Sequence, residues 1–285
     1  MSELLGTIKS PGLFTTIQDG GRPGFRHLGV PVSGYMDREA AELANRLVGN
    51  QAQAPLLEIT LTGPTIQFHQ FGALGIAGAD LSPSLNGVPL PLHETIYYAR
   101  GDILSFDRRV AGFRTYLAFA GALEAEMIMG SLSTHVGNGW GGIRGGTLKK
   151  GDQLFISDRT SPKRTRLTIE RPASDTVRLR PSLEFDRLPA SAQQNLFSQP
   201  WTLAPESNRS GIRLVGEPLA TPSISMISSP TDVGIVQLPP SGLPIILMPD
   251  SAAIGGYPRI GAISQSDLPL LAQKAPGETI RFKAI

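Results

Sequence analysis

Short apolar runs separated by glycine and proline dominate the first half of the chain. β-Branched and aromatic residues are concentrated in these runs, as is typical of strands. We expect strands at 15–17, 57–61, 65–68, 74–76, 95–98, 103–106 and 114–119. Asn86-Gly87, between two short runs, is the sequence typical of a two-residue hairpin turn. The pattern predicts a mainly β fold of the barrel or sandwich type.

Helical spacing of apolar residues occurs in a few places. The clearest helix is predicted over 34–48, where apolar residues recur on one helix face and Ser33 is the expected N-cap. A second helix is predicted over 267–274, capped by Ser266, and a third begins after Pro189. The helices are therefore few and short beside the strands.

Composition narrows the class of protein. Hydrophobic residues make up 40% and charged residues 18% of the chain, which is typical of a globular protein. The net charge of +2 is small for 285 residues, so no nucleic-acid partner is predicted. The sequence has no long apolar run, no leader pattern and no cysteine. We therefore expect a cytoplasmic protein with no membrane contact, disulfide or thiolate chemistry.

The length allows one large core or two ordinary ones. A polar, proline-containing and locally basic stretch at 157–177 is the expected connector. We predict an N-terminal domain at 1–160 and a C-terminal domain at 161–285.

The most distinctive segment is QDGGRPGFRHLGVPVSGYMD at 18–37. Its glycines let backbone N–H groups approach a ligand closely, and its arginines, Arg22 and Arg26, offer planar forks to carboxylate or phosphate oxygens. Asp19 and Asp37 are candidate acid–base or orienting carboxylates. The structural alternatives are a wound loop, with Asp19 in an Asx-turn and Asp37 favoured by a helix dipole. The segment predicts a site for an anionic or carbonyl-bearing small molecule.

A C-terminal block repeats this chemistry. Met248-Pro-Asp250 and Gly255-Gly-Tyr-Pro-Arg259 supply a carboxylate, adjacent glycines, an aromatic ring and an arginine. One such segment in each half suggests a ligand cleft, with Gln237 lining it. The match of 137–142 to G-x-G-x-x-G is not followed by a helical pattern, and the four histidines have no metal spacing. We predict neither a dinucleotide site nor a metal site.

Sequence blocks along nearly the whole chain resemble one family. The segment at 18–37, with ANRLVGN (44–50) and LEITLTGP (57–64), resembles the opening of the family formed by the C subunits of 5-oxoprolinase. This family is also called KipA-like or biotin-dependent carboxyltransferase, and is related to urea amidolyase and allophanate hydrolase subunit 2. The resemblance continues at Gly130-Ser131, Ser133-Thr134, GWGG (139–142), LKKGDQL (148–154), NRSGIRLVGEPL (208–219), VQLPPSGLPIILMPD (236–250), GGYPRIGAI (255–263) and PGETIRF (276–282).

The resemblance implies two tandem cyclophilin-like β-barrel domains with a few short helices. It implies an ATP-dependent opening of 5-oxoproline to L-glutamate, carried out together with the A subunit and the KipI-like B subunit of 5-oxoprolinase. The ATP would be bound by this chain or with a partner. Two alternatives stay open. One is carboxyl transfer from carboxybiotin to a urea-like amide, with biotin carried by another polypeptide because this chain lacks the Met-Lys biotinylation context. The other is a non-catalytic regulator that binds a KipI-like protein.

The resemblance and the loops together give a set of candidate site residues. The catalytic candidates are Arg22, Asp37 and Asp250. The substrate-binding candidates are Asp19, Gly20, Arg26, His27, Ser33, Ser131, Ser133, Arg209, Gln237, Gly255, Gly256, Tyr257 and Arg259. The arginines would hold a substrate carboxylate or a developing phosphate charge, and an aspartate would move a proton. The chain departs from the family pattern at Leu132, Gly145-Gly146 and 251–254, and the arginines missing at Leu132 and Gly146 favour the regulator alternative.

Overall fold

The computed structural model describes residues 2–169, 174–221 and 226–285. Unit 1 comprises Met1–Arg22 and Ser33–Arg171, and unit 2 comprises Pro23–Val32 and Pro172–Ile285. The short segment Pro23–Val32 thus belongs to unit 2, although the chain on both sides of it belongs to unit 1. Residues 170–173 of the predicted connector lie outside the described residues.

Unit 1 is built from two antiparallel sheets and one helix. Its elements are β1 (Glu3–Ser10), β2 (Phe14–Gln18), α1 (Arg38–Leu47), β3 (Leu56–Thr60), β4 (Thr65–Phe68), β5 (Gly72–Asp80), β6 (Pro83–Leu85), β7 (Val88–Pro89), β8 (Thr95–Tyr98), β9 (Ile103–Phe106), β10 (Ala111–Phe119), β11 (Ala122–Leu123) and β12 (Gln153–Ser157). The seven-stranded sheet has the order β11-β12-β1-β4-β9-β6-β7, and the five-stranded sheet has the order β2-β3-β10-β5-β8. The hairpin predicted at Asn86-Gly87 is confirmed between β6 and β7, where these residues have φ values of 52° and 79°.

The five-stranded sheet is buried on both faces because apolar side chains from its strands point to both sides of the sheet. Leu57 and Leu117 pack in a core shared with the seven-stranded sheet. On the opposite face Tyr116 packs with the apolar face of α1. A Cβ at Gly75 would lie 2.7 Å from the carbonyl oxygen of Ala44, so the helix lies directly on the backbone of β5. This contact places the C-terminal half of α1 against β5.

The helix predicted over 34–48 begins later than its apolar pattern indicates. Ser33 and Gly34 have φ values of 55° and 87°, which a right-handed helix does not accommodate. Asp37 is the N-cap instead, and its Oδ1 accepts the backbone N–H of Ala40 at 3.0 Å. The prediction of Ser33 as the cap was wrong because periodicity does not report the backbone conformation that precedes a helix.

Unit 2 contains a closed seven-stranded barrel. Its elements are β13 (Thr176–Pro181), α2 (Ala190–Ser198), β14 (Trp201–Leu203), β15 (Gly211–Val215), β16 (Ser229–Pro230), β17 (Ile235–Gln237), β18 (Ile245–Leu247), β19 (Ile254–Gly255), β20 (Arg259–Ile263), α3 (Leu268–Ala272) and β21 (Thr279–Ala284). The strand order is β13-β20-β17-β18-β15-β14-β21, and the parallel pair of β13 with β21 closes the barrel. The two remaining strands, β16 and β19, pair with each other in what we call the outer ribbon.

The mainly β class with few helices is confirmed, and the barrel of unit 2 accounts for one of the two expected barrels. A second barrel stays a prediction, as does the cyclophilin-like assignment. The helix expected after Pro189 is present as α2. The helix expected over 267–274 is shorter: a 3-10 turn occupies Gln265–Asp267, and α3 follows with Asp267, not Ser266, before it. Among the described residues, no helix is long and apolar enough to cross a membrane.

Candidate functional site

The carboxylate of Asp19 organises the glycine-rich loop of unit 1. The hydroxyls of Ser131 and Ser133 each donate to its Oδ1 at 2.6 Å. The backbone N–H of Gly21 donates to the same oxygen at 2.8 Å, and that of Leu132 donates to Oδ2 at 2.6 Å. The residue is 8% exposed. Charge-assisted bonds of this kind are the stronger ones, so Asp19 fixes the loop to the 131–133 turn.

Arg22 continues this cluster and is only 1% exposed. Its Nη1 donates to the Ser33 hydroxyl at 3.0 Å, its Nη2 to the backbone oxygen of Ser133, and its Nε to the backbone oxygen of Ile128 at 3.3 Å. Arg22 and Ser33 are the two residues at which the chain leaves and re-enters unit 1. The Arg22 guanidinium therefore connects the two points where the chain leaves and re-enters unit 1, and ties them to the 131–133 turn, which we call the serine turn.

A separate set of buried polar side chains lies at the N-terminus of α1. The backbone N–H of Asp37 donates to the Tyr116 hydroxyl at 2.7 Å, and that hydroxyl donates to Glu58 Oε2 at 2.9 Å. Burial, followed by the charges of Glu58 and Asp37, raises the pKa of Tyr116 well above its ordinary value. The phenol therefore stays protonated and keeps its donor for Glu58. The candidate Asp37 thus belongs to the support of the helix, apart from the Asp19 cluster.

In unit 2 the carboxylate of Asp250 and the guanidinium of Arg209 form a buried bidentate pair. Arg209 Nε lies 2.8 Å from Oδ2, and Nη2 lies 3.0 Å from Oδ1. The backbone N–H of Asp250 also donates to the carbonyl oxygen of Arg209 at 3.0 Å. Both side chains are 7% exposed. The two parallel hydrogen bonds hold both groups in one plane, so each has a fixed orientation.

Arg259 connects the outer ribbon to the 3-10 turn after β13. Its Nη2 donates to Glu184 Oε1 at 2.6 Å, and its Nη1 donates to the carbonyl oxygen of Pro230 in β16 at 3.1 Å. Burial raises the pKa of Glu184, but the hydrogen bond from Arg259, a backbone hydrogen bond and the positive charges of Arg259 and Arg187 together lower it below its ordinary value. Glu184 therefore remains an anion that holds Arg259 in place.

Arg26 contacts Thr231, which directly follows β16, and Gln237 approaches Gly255 of β19. Arg26 Nη2 donates to the Thr231 carbonyl oxygen at 2.7 Å and to that of Ala252 at 3.3 Å. Gln237 is buried at the end of β17, and a Cβ at Gly255 would lie 2.5 Å from its Nε2. A side chain at 255 would therefore displace the Gln237 amide from its position against the ribbon backbone.

The structure groups most of the candidate residues. One hydrogen-bonded cluster in unit 1 contains Asp19, Arg22, Ser33, Ser131 and Ser133, with Gly20 next to them in the chain. Unit 2 holds Arg26, Arg209, Gln237, Asp250, Gly255 and Arg259, while His27, Gly256 and Tyr257 are exposed. Among the described residues, no group of three or more histidine, aspartate or glutamate side chains is arranged to hold a metal ion.

Comparison with known proteins identifies the family. Residues 28–284 match the family model described as "Carboxyltransferase domain, subdomain A and B". The chain belongs to this carboxyltransferase family. The C subunit of 5-oxoprolinase from Escherichia coli (strain K12) is 37% identical over 273 residues, which cover 95% of this chain and 88% of that protein. The family resemblance indicated by the sequence blocks is therefore confirmed.

Members of the carboxyltransferase family also occur within longer polypeptides. A urea amidolyase of Lachancea kluyveri is 32% identical over 98% of this chain, which corresponds to 17% of that protein. The crystal structure of TTHA0988 superposes with a TM-score of 0.87 at 35% identity, covering 99% of this chain and 56% of that one. The chain thus spans about half the length of this solved relative.

The sequence analysis did not single out Glu58, Tyr116, Glu184 or Thr231. Glu58 had a usable signal, because it stands between Leu57 and Ile59 in an apolar strand, and a carboxylate is rarely buried unless it has partners. Tyr116, Glu184 and Thr231 contact residues that are distant in the chain, and a single sequence does not show which residues these are.

Proposed function

We propose that this member of the carboxyltransferase family is one component of an ATP-dependent 5-oxoprolinase that opens 5-oxoproline to L-glutamate. The observation that carries the proposal is the 37% identity to the C subunit of the Escherichia coli 5-oxoprolinase over nearly the full length of both chains. The A subunit and the KipI-like B subunit complete the complex in this proposal. The urea amidolyase relatives share the family but match over a small part of their length.

Opening a lactam requires activation because an amide carbonyl resists attack by water. ATP transfers its γ-phosphoryl group to the lactam oxygen, and ADP leaves as the bond between the β- and γ-phosphates breaks. Water then adds at the ring carbonyl carbon, the carbon–nitrogen bond breaks with a proton delivered to nitrogen, and a second water hydrolyses the resulting acyl phosphate. Negative charge develops at oxygen in these steps, and preorganised guanidinium groups stabilise such charge. The ATP is bound by this chain or with a partner protein, and no biotin is attached to this chain.

Asp250 is the carboxylate that we assign to proton transfer. Asp37 caps α1 and supports the Tyr116 hydroxyl, which gives it a structural task. Asp250 instead lies in the C-terminal block 248–259, where Arg209 orients both of its carboxylate oxygens. In the proposed reaction Arg209 also stabilises the developing oxyanion, while Arg22 keeps the serine turn of unit 1 in place.

The test is glutamate release from 5-oxoproline and ATP by this chain with its two partner proteins, and by the mixture without it. We expect omission to abolish turnover and Asp250→Asn to reduce kcat by about 10²–10⁴-fold, as for loss of a general base. Asp186→Asn, an exposed carboxylate of unit 2, is the matched control and should keep full activity. Trp201 fluorescence reports whether unit 2 of each variant is folded. Full turnover by a folded Asp250→Asn variant rules out the assignment of Asp250.

A second candidate function is carboxyl transfer from carboxybiotin to a urea-like amide. It is supported by the match to a carboxyltransferase family model and by the urea amidolyase relatives. Transfer of labelled carboxyl from a carboxybiotinyl partner to urea, without glutamate release, would favour it. If neither reaction occurs while a KipI-like protein is bound, the non-catalytic regulator becomes the better proposal.

A further inference from the structure

Three buried polar atoms at the outer ribbon of unit 2 have no hydrogen-bond partner among the described residues. They are Arg26 Nη1, Gln237 Nε2 and Ser251 Oγ. All three atoms are buried, and the residues Gln237 and Ser251 are only 6% and 2% exposed, so bulk water does not reach these atoms. A buried polar group without a partner costs about 1–3 kcal/mol. Three such atoms in one part of the fold indicate a binding site for a ligand that supplies the missing hydrogen-bond acceptors.

The three atoms are grouped by the residues they contact. Arg26 donates with its other nitrogens to the carbonyl oxygens of Thr231 and Ala252, and Ala252 follows Ser251 in the chain. Gln237 Nε2 lies against Gly255, and a Cβ built on Gly255 would lie 2.5 Å from this nitrogen and 3.2 Å from the Thr231 side chain. All of these residues belong to unit 2. The three atoms therefore lie on residues that contact, or belong to, the chain at Thr231 and at 251–255 of unit 2.

The chemistry of these atoms favours an anion with two oxygens in one plane. A guanidinium N–H and an amide N–H can only donate, and a serine hydroxyl donates as readily as it accepts. We propose that the three groups form a carboxylate subsite, and that it receives the carboxylate of the small-molecule substrate. The naming of that substrate as 5-oxoproline rests on the function proposed above, whereas the subsite itself does not.

The local charge distinguishes a carboxylate from a phosphate. The three arginines of this part of unit 2 each have a carboxylate partner: Arg26 with Asp232, Arg209 with Asp250, and Arg259 with Glu184. The Arg26 partner is the weakest, at 3.7 Å with an Asp232 side chain that is 71% exposed. Because water screens the exposed Asp232 carboxylate, it compensates little of the Arg26 charge. The subsite thus has about one unit of positive charge available for a ligand. A monoanion fits this charge better than a dianionic phosphate does.

The experiment measures ligand binding to the purified full-length chain by titration calorimetry. The probes are 5-oxoproline, 2-pyrrolidinone, which has the same lactam ring without the carboxylate, and inorganic phosphate. We expect binding of 5-oxoproline and about a 10-fold or greater loss of affinity for 2-pyrrolidinone. Stronger binding of phosphate than of 5-oxoproline overturns the choice of a carboxylate, and no binding of any probe overturns the subsite.

Two variants separate a binding role from a structural one. Gln237→Glu keeps the shape of the side chain but replaces a donor with an anion, and it should weaken 5-oxoproline binding by more than about 10-fold. Gln194→Glu, on the exposed face of α2, adds the same charge in unit 2 and should leave binding unchanged. Ser251→Ala removes a buried hydroxyl that has no partner among the described residues, so it should keep or raise the melting temperature while it weakens binding several-fold.

The results also distinguish this proposal from the proposed function. Unchanged 5-oxoproline binding in both Gln237→Glu and Ser251→Ala contradicts the subsite, even if the complex releases glutamate. Loss of binding in these variants supports the subsite, even if the complex has no 5-oxoprolinase activity. A fall in the melting temperature of Ser251→Ala shows that the hydroxyl has a structural partner and also contradicts the proposal.

Discussion

Replacement of Asp19 by asparagine is the sharpest test of how the glycine-rich loop is held. In its better orientation the amide oxygen keeps the three donors of Oδ1, and the new NH₂ faces the backbone N–H of Leu132, which lies 2.6 Å from Oδ2 in the native cluster. Two donors then face each other in a buried site. Because the side chain is 8% exposed, water does not relieve the conflict.

The expected cost follows from the bonds involved. An unsatisfied buried N–H costs about 1–3 kcal/mol, and each of the other three bonds weakens by about 1 kcal/mol when its acceptor loses the charge. We therefore expect Asp19→Asn to lower the free energy of unfolding of unit 1 by about 4–6 kcal/mol. The free energy of unfolding of a domain is about 5–15 kcal/mol in total, so this loss is a large part of the stability of unit 1.

The two tryptophans allow this measurement because Trp140 lies in unit 1 and Trp201 in unit 2. Urea unfolding is followed by Trp140 fluorescence in a Trp201→Phe background, and free energies come from linear extrapolation. Asp107→Asn, at an exposed carboxylate of unit 1, is the matched control and should change stability by less than about 0.5 kcal/mol. If Asp19→Asn behaves like Asp107→Asn, the view of Asp19 as the organiser of the loop is wrong.

Other consequences of the structure can be measured in the same way. Burial raises the pKa of Asp267, but hydrogen bonds from Arg178 lower it below its ordinary 3.8 in the folded state, so the stability that this carboxylate contributes is present above pH 3.8 and lost below it. Acid unfolding of unit 2 followed by tryptophan fluorescence should therefore be less steep in Asp267→Asn than in the native chain; equal slopes contradict this. Arg209→Ala should destabilise unit 2 by about 3–5 kcal/mol in urea, because it leaves the Asp250 carboxylate buried without its bidentate partner, and the double replacement Arg209→Met with Asp250→Leu should recover most of the loss. Gly75→Ala should lower the melting temperature and cost about 1–3 kcal/mol, since its Cβ would lie 2.7 Å from a backbone oxygen of α1; an unchanged melting temperature would show that the helix is free to shift.

Local chemistry accounts for the parts of the fold that the sequence predicted well. The strands expected at 65–68, 95–98 and 103–106 have the observed bounds, because β-branched and aromatic residues are followed there by turn-forming residues. Asn86-Gly87 forms the expected turn because asparagine and glycine tolerate positive φ. In these segments the local residue types are enough to predict the backbone conformation.

Long-range contacts account for what the sequence did not predict. The segment Pro23–Val32 belongs to unit 2 through contacts such as that of Arg26 with the carbonyl oxygen of Thr231, which lies 205 positions later in the chain. The loop composition that made Arg26 a candidate does not contain its partner. Similarly, the resemblance to a family indicated Ser131 and Ser133, but only the structure shows that both hydroxyls donate to Asp19.

The closure of the unit 2 barrel by β13 and β21 has a consequence for synthesis. Thr176 pairs with Arg281, so the first strand of this barrel acquires its parallel neighbour only when the last strand has been made. The strands of unit 1 described above end by Ser157 and can pair earlier. While the ribosome translates the residues between them, β13 is an edge that other chains can join. A nascent chain interrupted before Thr279 should therefore be a substrate for chaperones and proteases.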